Sequence, residues 1–171
     1  MARHFNISGE LTQELLAAGD NTSVSTISLT NIQKVSKCKV DLYIEKKLTG
    51  KFYLLKGVEL PIGATLIYNN MSFSNSIGGF GLYIKLTDGA TFTLTGAIDP
   101  TGTNTAVPGS GTAFLSELSV GDEIVVSSET RTISSITSNT AAVVTAAWGS
   151  DLANDTTPDC NPTALVVVII N

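Results

Sequence analysis

The run Ala164-Leu165-Val166-Val167-Val168-Ile169-Ile170 decides how this chain is read. It is apolar and β-branched, which favours a buried strand. It is also well short of the ~20 apolar residues that a membrane helix needs. Ahead of it, residues 1–96 carry alternating strands that read as one strand short of a closed sandwich, and this run supplies the missing one. Between them, residues 97–156 read as a compact β module of their own. The expected fold is therefore all-β: a β-sandwich, jelly-roll-like host formed by residues 1–96 plus 157–171, with an inserted small β-barrel-like module at 97–156. On this reading, 91–95 and 164–170 are neighbouring strands of one sheet.

Composition agrees with the strand pattern. The 171 residues can bury a proper core as one domain or two small ones. Hydrophobic residues make up 43% and charged residues only 15%, against about a quarter charged in typical globular chains. The polar remainder is largely Thr, Ser, Asn and Gly, which supply pleated surfaces and turns. A net charge of −5 and a pI near 4.7 argue against a nucleic-acid partner, which requires a basic patch. The lysines at 34, 37, 39, 46, 47, 51 and 56 read as protection of an edge strand. A patch facing an acidic partner is the alternative. No apolar segment follows Met1-Ala2-Arg3-His4, so neither a secretory signal nor a membrane partner is expected. The sequons at Asn6, Asn21, Asn70 and Asn154 are then composition only. Cys38 and Cys160 lack metal-ligand spacing and read as two free thiols, with a disulfide between them as the alternative.

Period-two alternation marks the individual strands. Residues 3–8 form a short one. The stretch 10–18 fits a helical stripe or a strand, with strand preferred. Along 23–31, Val24, Thr26, Ser28 and Thr30 share one face, and Ile27 and Leu29 the other. In 39–45, Val40, Leu42 and Ile44 point inward, and 52–58 pairs with this strand across a turn at 46–50. Pro61-Ile62-Gly63 is a corner where the chain can cross between sheets. Residues 81–86 form a further strand, and Asp88-Gly89 signals a hairpin into 91–95. In the module, 108–114 reads as a turn. Strands follow at 118–126, 131–136 and 141–148, with Phe114 and Trp148 as core anchors. Residues 151–162 read as a polar return linker.

Several of these stretches carry a resemblance. The strand Val24-Ser25-Thr26-Ile27-Ser28-Leu29-Thr30-Asn31 is followed by Val40-Asp41-Leu42-Tyr43-Ile44. Next come the corner from Tyr53-Leu54-Leu55-Lys56-Gly57-Val58 to Leu66 and the strand Gly81-Leu82-Tyr83-Ile84-Lys85-Leu86. Together they resemble small β-sandwich virion structural proteins of tailed phages, especially marine and cyanobacterial ones. Residues 109–148 resemble a small β module that recurs in phage tail, fibre and head-accessory proteins. The chain has no collagen-like or coiled-coil stem, which counts against a complete tail fibre.

No constellation for catalysis emerges from the sequence. His4 is the one histidine and reads as a surface or strand-end residue. Gly109-Ser110-Gly111 is a loop rather than a nucleophile elbow. Gly78-Gly79-Phe80-Gly81 lacks the Lys and Ser/Thr of a phosphate loop and reads as a bulge or close approach. Asp122 and Glu123 fall on opposite strand faces, away from any paired-carboxylate arrangement with Glu117 or Glu129. Asp151, Asp155, Asp159 and Asn154 read as a solvated linker, with a calcium site as the alternative. Tyr43, Tyr53, Tyr68 and Tyr83 all fall on strands and read as core or sheet-face residues with satisfied hydroxyls.

The resemblance implies a non-enzymatic virion subunit: capsid decoration or cement, or a neck or tail-surface accessory protein. It would assemble in the bacterial cytoplasm as a homo-oligomer. Its partners would be the major capsid protein or neck and tail subunits, and no cofactor, metal or catalytic residue is expected. The alternative is a carbohydrate-binding receptor-recognition module of a phage tail, which an exposed aromatic platform would support.

Overall fold

The computed structural model describes residues 2–46, 49–69, 71–75, 79–152 and 154–171. Met1, Lys47, Asn70 and Gly78, named above, lie outside them. The described residues are nearly all β. The strands are β1 (Arg3–Ser8), β2 (Gln13–Leu16), β3 (Ser23–Val24), β4 (Ile27–Asn31), β5 (Cys38–Lys46) and β6 (Gly50–Leu60). After them come β7 (Thr65–Tyr68), β8 (Phe73–Ser74), β9 (Gly81–Thr87), β10 (Phe92–Thr93), β11 (Ala97–Ile98) and β12 (Ala106–Ser110). One helical turn, α1 (Phe114–Glu117), precedes β13 (Glu123–Val126), β14 (Glu129–Ser138), β15 (Ala141–Val144), β16 (Asp159–Asn161) and β17 (Leu165–Ile170). The chain divides into two compact units.

The first unit comprises Met1–Gln33, Lys37–Asp88 and Ala164–Asn171. It contains two four-stranded antiparallel sheets, ordered β1-β17-β4-β7 and β2-β9-β5-β6, and a small β3-β8 pair. Both larger sheets feed one hydrophobic cluster. Ile7, Ile27, Leu29, Val166, Val168 and Ile170 come from the first; Leu16, Val40, Leu42, Leu82, Ile84 and Leu86 come from the second. β17 alternates strictly between buried and half-buried residues, because it is the inner strand between β1 and β4.

The Pro61-Ile62-Gly63 corner carries the chain from one sheet to the other, as the sequence predicts: β6 belongs to the second and β7 to the first. Buried Asn31 holds this corner. Its Nδ2 donates to the Leu60 carbonyl at 3.0 Å, and its Oδ1 accepts the Gln33 N–H at 2.9 Å. Its backbone accepts the Gly63 N–H and donates to the Ala64 carbonyl. Gly63 has φ of +68°, a left-handed conformation that suits glycine at the turn.

The second unit comprises Lys34–Ser36 and Gly89–Thr163. Its seven-stranded sheet runs β10-β16-β13-β14-β15-β12-β11. Phe114, Trp148, Ile124, Val126, Ile133 and Val144 are buried in its core, so both expected aromatic anchors are in place. β14 carries two bulges against β15, where two of its residues oppose one. The β13–β14 hairpin turns through Ser127 and Ser128, both left-handed at φ of 47° and 73°.

Several expectations change. Residues 164–170 do not neighbour 91–95: β17 is paired on both sides by β1 and β4, while β10 pairs with β16. Residues 89–96 and 157–163 accordingly fall in the second unit, which shifts the boundaries from 96/97 and 156/157 to 88/89 and 163/164. Asp88-Gly89 is thus a crossing between units rather than a hairpin. The seven-stranded sheet does not close into a barrel, since its end strands β10 and β11 are not hydrogen-bonded to each other. Finally, Pro108 lies within strand β12 rather than a turn. Its carbonyl still accepts the Asp99 N–H, and the neighbouring Gly109 N–H bonds the Thr140 carbonyl on the other side.

Candidate binding site

The residues proposed for chemistry hold backbone instead. Asp122 is fully buried; its carboxylate accepts the Ser119 N–H at 2.7 Å and the Thr163 N–H at 2.9 Å. Glu117 accepts from the backbone N–H and hydroxyl of Thr95. Glu129 accepts the Gly149 N–H, the Ser150 hydroxyl and an Arg131 guanidinium N–H. The Gly149 bond, ahead of Ser150 and Arg131, holds its carboxyl below the ordinary value. Asp155 accepts N–H groups from Thr157 and Ser127, and these two bonds lower its carboxyl in the same way. Asp159 receives the Thr93 hydroxyl. Among the described residues, no group of three or more His, Cys, Asp or Glu side chains is placed to share a metal ion. His4 is exposed on β1, and Ser110 sits at the end of β12 opposite Ala97.

The cysteines are both buried and free, Cys38 on β5 in the first unit and Cys160 on β16 in the second. Burial is the main cause that pushes the Cys38 thiol up to about 11, with the Asp88 charge adding to it. Cys160 is raised too, first by burial and then by Asp122 and Glu117. Both are therefore protonated, poorly nucleophilic thiols at neutral pH.

The tyrosines give a different result. Tyr68 packs against the core, whereas the other three meet in one row across the β2-β9-β5-β6 sheet. In register, Tyr53 on β6 faces Tyr43 on β5, Tyr43 faces Tyr83 on β9, and Tyr83 faces Glu14 on β2. Leu42, Leu82 and Ile84 point into the core, so alternation sends this row to the other face. The Tyr43 and Tyr83 rings stack at 5.7 Å and 16°; Tyr43 and Tyr53 are tilted at 5.5 Å and 51°. Tyr43 is only 1% exposed, covered by its neighbours, while Tyr53 is 43% exposed and Tyr83 half-buried.

Charged side chains frame the rings. Lys51 Nζ lies 4.5 Å from the Tyr43 ring centre and donates to the Tyr43 hydroxyl at 3.3 Å. That bond is the first cause holding its ammonium above the ordinary value. Lys56 Nζ stands 4.8 Å over the Tyr53 ring. The Tyr83 hydroxyl donates to Glu14 at 2.9 Å; its pKa is raised, by burial first and then by this bond and the Glu14 charge. Thr12, Tyr43, Glu45, Lys51 and Tyr83 line a shallow depression here.

Gly81 explains the pose of Tyr83. A Cβ at Gly81 would lie 2.8 Å from Tyr83 Cε2 and 2.9 Å from its hydroxyl, so the ring lies down over the glycine. At Gly81 the close neighbour is thus an aromatic ring, not the backbone approach or bulge expected of this Gly-rich stretch. β6 positions Tyr53 by two bulges: three of its residues span Val40 to Leu42, and two span Leu42 to Tyr43. β6 is also the edge of its sheet and carries Lys51 and Lys56, as the edge-protection reading expects, whereas Lys39 and Lys46 stand on the inner strand β5 and Lys34 and Lys37 lie outside the strands.

No protein-family model matches this chain, and no curated protein matches its sequence.

Proposed function

We propose that this chain is a non-enzymatic structural subunit of a tailed-phage virion, seated on the head as decoration or cement, or on the neck or tail surface. One observation carries the reading: the acidic side chains considered for chemistry are hydrogen-bonded into loops and chain crossings. Asp122 ties the 119–122 turn to Thr163, Glu129 ties β14 to Gly149 and Ser150, and Asp155 ties the β13–β14 turn to residue 157. Charges used this way fix the shape of surface loops, which a part recurring in many copies requires.

In this reading the first unit is a jelly-roll-like β-sandwich, its two sheets closing on one core, and the second is a module inserted after Asp88. Capsid, neck or tail subunits are the partners, and copies of the chain contact one another through sheet edges and loops. Neutral Ser, Thr and Asn surfaces bury at low desolvation cost, and symmetric repetition multiplies modest contacts. The resemblance of the 24–31, 40–44, 53–66 and 81–86 stretches to phage virion proteins supports the same assignment. Gold-labelled antibody against the chain, imaged on purified particles, tests it. Regular labelling of head, neck or tail is expected; unlabelled particles alongside labelled cell lysate would contradict the proposal.

A further inference from the structure

We propose that the Tyr53–Tyr43–Tyr83 row is a binding site for a neutral saccharide, with the faces of Tyr53 and Tyr83 as stacking surfaces and Thr12, Glu14, Glu45 and Lys51 as the hydrogen-bonding rim. This goes beyond the virion assignment and does not depend on it.

A pyranose ring presents a flat C–H face bordered by hydroxyls that both donate and accept. Its complement is an aromatic face with donors and acceptors a few ångströms away. The row offers that combination. Three rings lie in cross-strand contact on the face opposite the core, and two of them are accessible. The depression beside them brings together a hydroxyl from Thr12, a carboxylate from Glu45 and the Lys51 ammonium.

Preorganisation is the second argument. Gly81 leaves room for Tyr83 to lie flat, Tyr43 stacks against Tyr83, and Glu14 fixes the Tyr83 hydroxyl. A ring held this way gives up little rotamer freedom when a ligand docks.

The rim decides the class of occupant. Glu14 and Glu45 balance Lys51 and Lys56, so a strongly anionic or cationic ligand gains no net attraction. A second copy of the chain would have to desolvate all four charges, which the hydroxyls of a sugar can hydrogen-bond directly. A neutral saccharide fits both constraints.

The test uses the full chain with the tyrosine rings labelled for NMR. Maltoheptaose, cellohexaose and chitotetraose serve as probes. At least one should shift the Tyr53 and Tyr83 ring signals saturably, with a dissociation constant on the order of 1 mM. Tyr53→Ala and Tyr83→Ala should each weaken binding about tenfold. Gly81→Ala displaces the Tyr83 ring while leaving its chemistry intact, and should weaken binding similarly with the amide spectrum otherwise preserved. Three silent probes would overturn the proposal. So would shifts that survive in the Tyr53→Ala chain, or ring signals that change with protein concentration alone, which would assign the face to contact between copies.

Discussion

Asn31→Ala probes the corner on which the two sheets of the first unit depend. The side chain is fully buried and joins two backbone groups that have little access to water, the Leu60 carbonyl at 3.0 Å and the Gln33 N–H at 2.9 Å. Removing it takes the side-chain partner from one buried acceptor and one buried donor. Each unsatisfied buried group costs about 1–3 kcal/mol, so the expected loss from two such groups is roughly 2–6 kcal/mol. That is a large share of the ~5–15 kcal/mol available to a typical domain. Asn31→Asp should be no milder: it keeps the acceptor for Gln33 but sets a carboxylate oxygen against the Leu60 carbonyl. Thr30→Ala is the control, since it removes only the exposed Thr30–Thr65 hydroxyl contact and should cost below about 0.5 kcal/mol. Urea unfolding followed by circular dichroism gives the energies. Amide exchange should show faster exchange at Gln33, Gly63 and Ala64, all tied to this residue or to its backbone partners. A cost below about 1 kcal/mol for Asn31→Ala, or one no larger than the control, would refute the reasoning.

Three further outcomes follow from other parts of the chain. Replacing Gly89–Thr163 by a short Gly/Asn linker should leave the first unit folded, because the Asp88 carboxylate accepts the Ala164 N–H at 2.7 Å and holds the cut ends together. Removing only 98–156 should be worse, since it leaves β10 and β16 without β13; circular dichroism and solubility compare the two. Ser128→Gly should raise the urea midpoint, by roughly 1 kcal/mol of stability, because serine there holds a φ of 73° that glycine adopts freely. Stability should also fall at both ends of the pH scale. Glu129 and Asp155 lie below their ordinary values of 4.5 and 3.8, so their contribution is complete above those values and lost as pH drops through the lower folded ones. Cys38, raised from 9.0 to about 11, contributes fully below pH 9 and loses that contribution as pH climbs towards 11; Cys38→Ala should flatten part of the alkaline decline in urea midpoints.

The strands were the legible part of this fold. Alternation along 27–31, 38–46, 81–87 and 165–170 is a local property, and the residues it turns inward are those that line the core. The Pro61-Ile62-Gly63 corner was legible for the same reason, since proline and glycine restrict the backbone wherever they stand. Partner choice was not legible. Nothing in the run 164–170 says that β1 and β4 flank it, because pairing between residues 3 and 170 depends on the whole chain closing. The brief visit of Lys34–Ser36 to the second unit left no signal, and the Ser127-Ser128 turn lacks the Asn and Gly that usually mark one. The tyrosines were visible as strand residues, but their meeting in a row depends on three registers and two bulges in β6. The Gly81–Tyr83 spacing of two residues on one strand face was the available clue, a glycine beneath an aromatic ring.

The assignment to a phage particle is tested most directly by counting. Under the proposed virion assignment, quantitative mass spectrometry of purified phage particles produced in cells that make this chain should find it in a fixed ratio to the major capsid protein. The account predicts a ratio that matches a symmetric set of positions on head, neck or tail and is unchanged by further purification. A chain that is abundant in infected cells but falls towards zero as the particles are purified would contradict it.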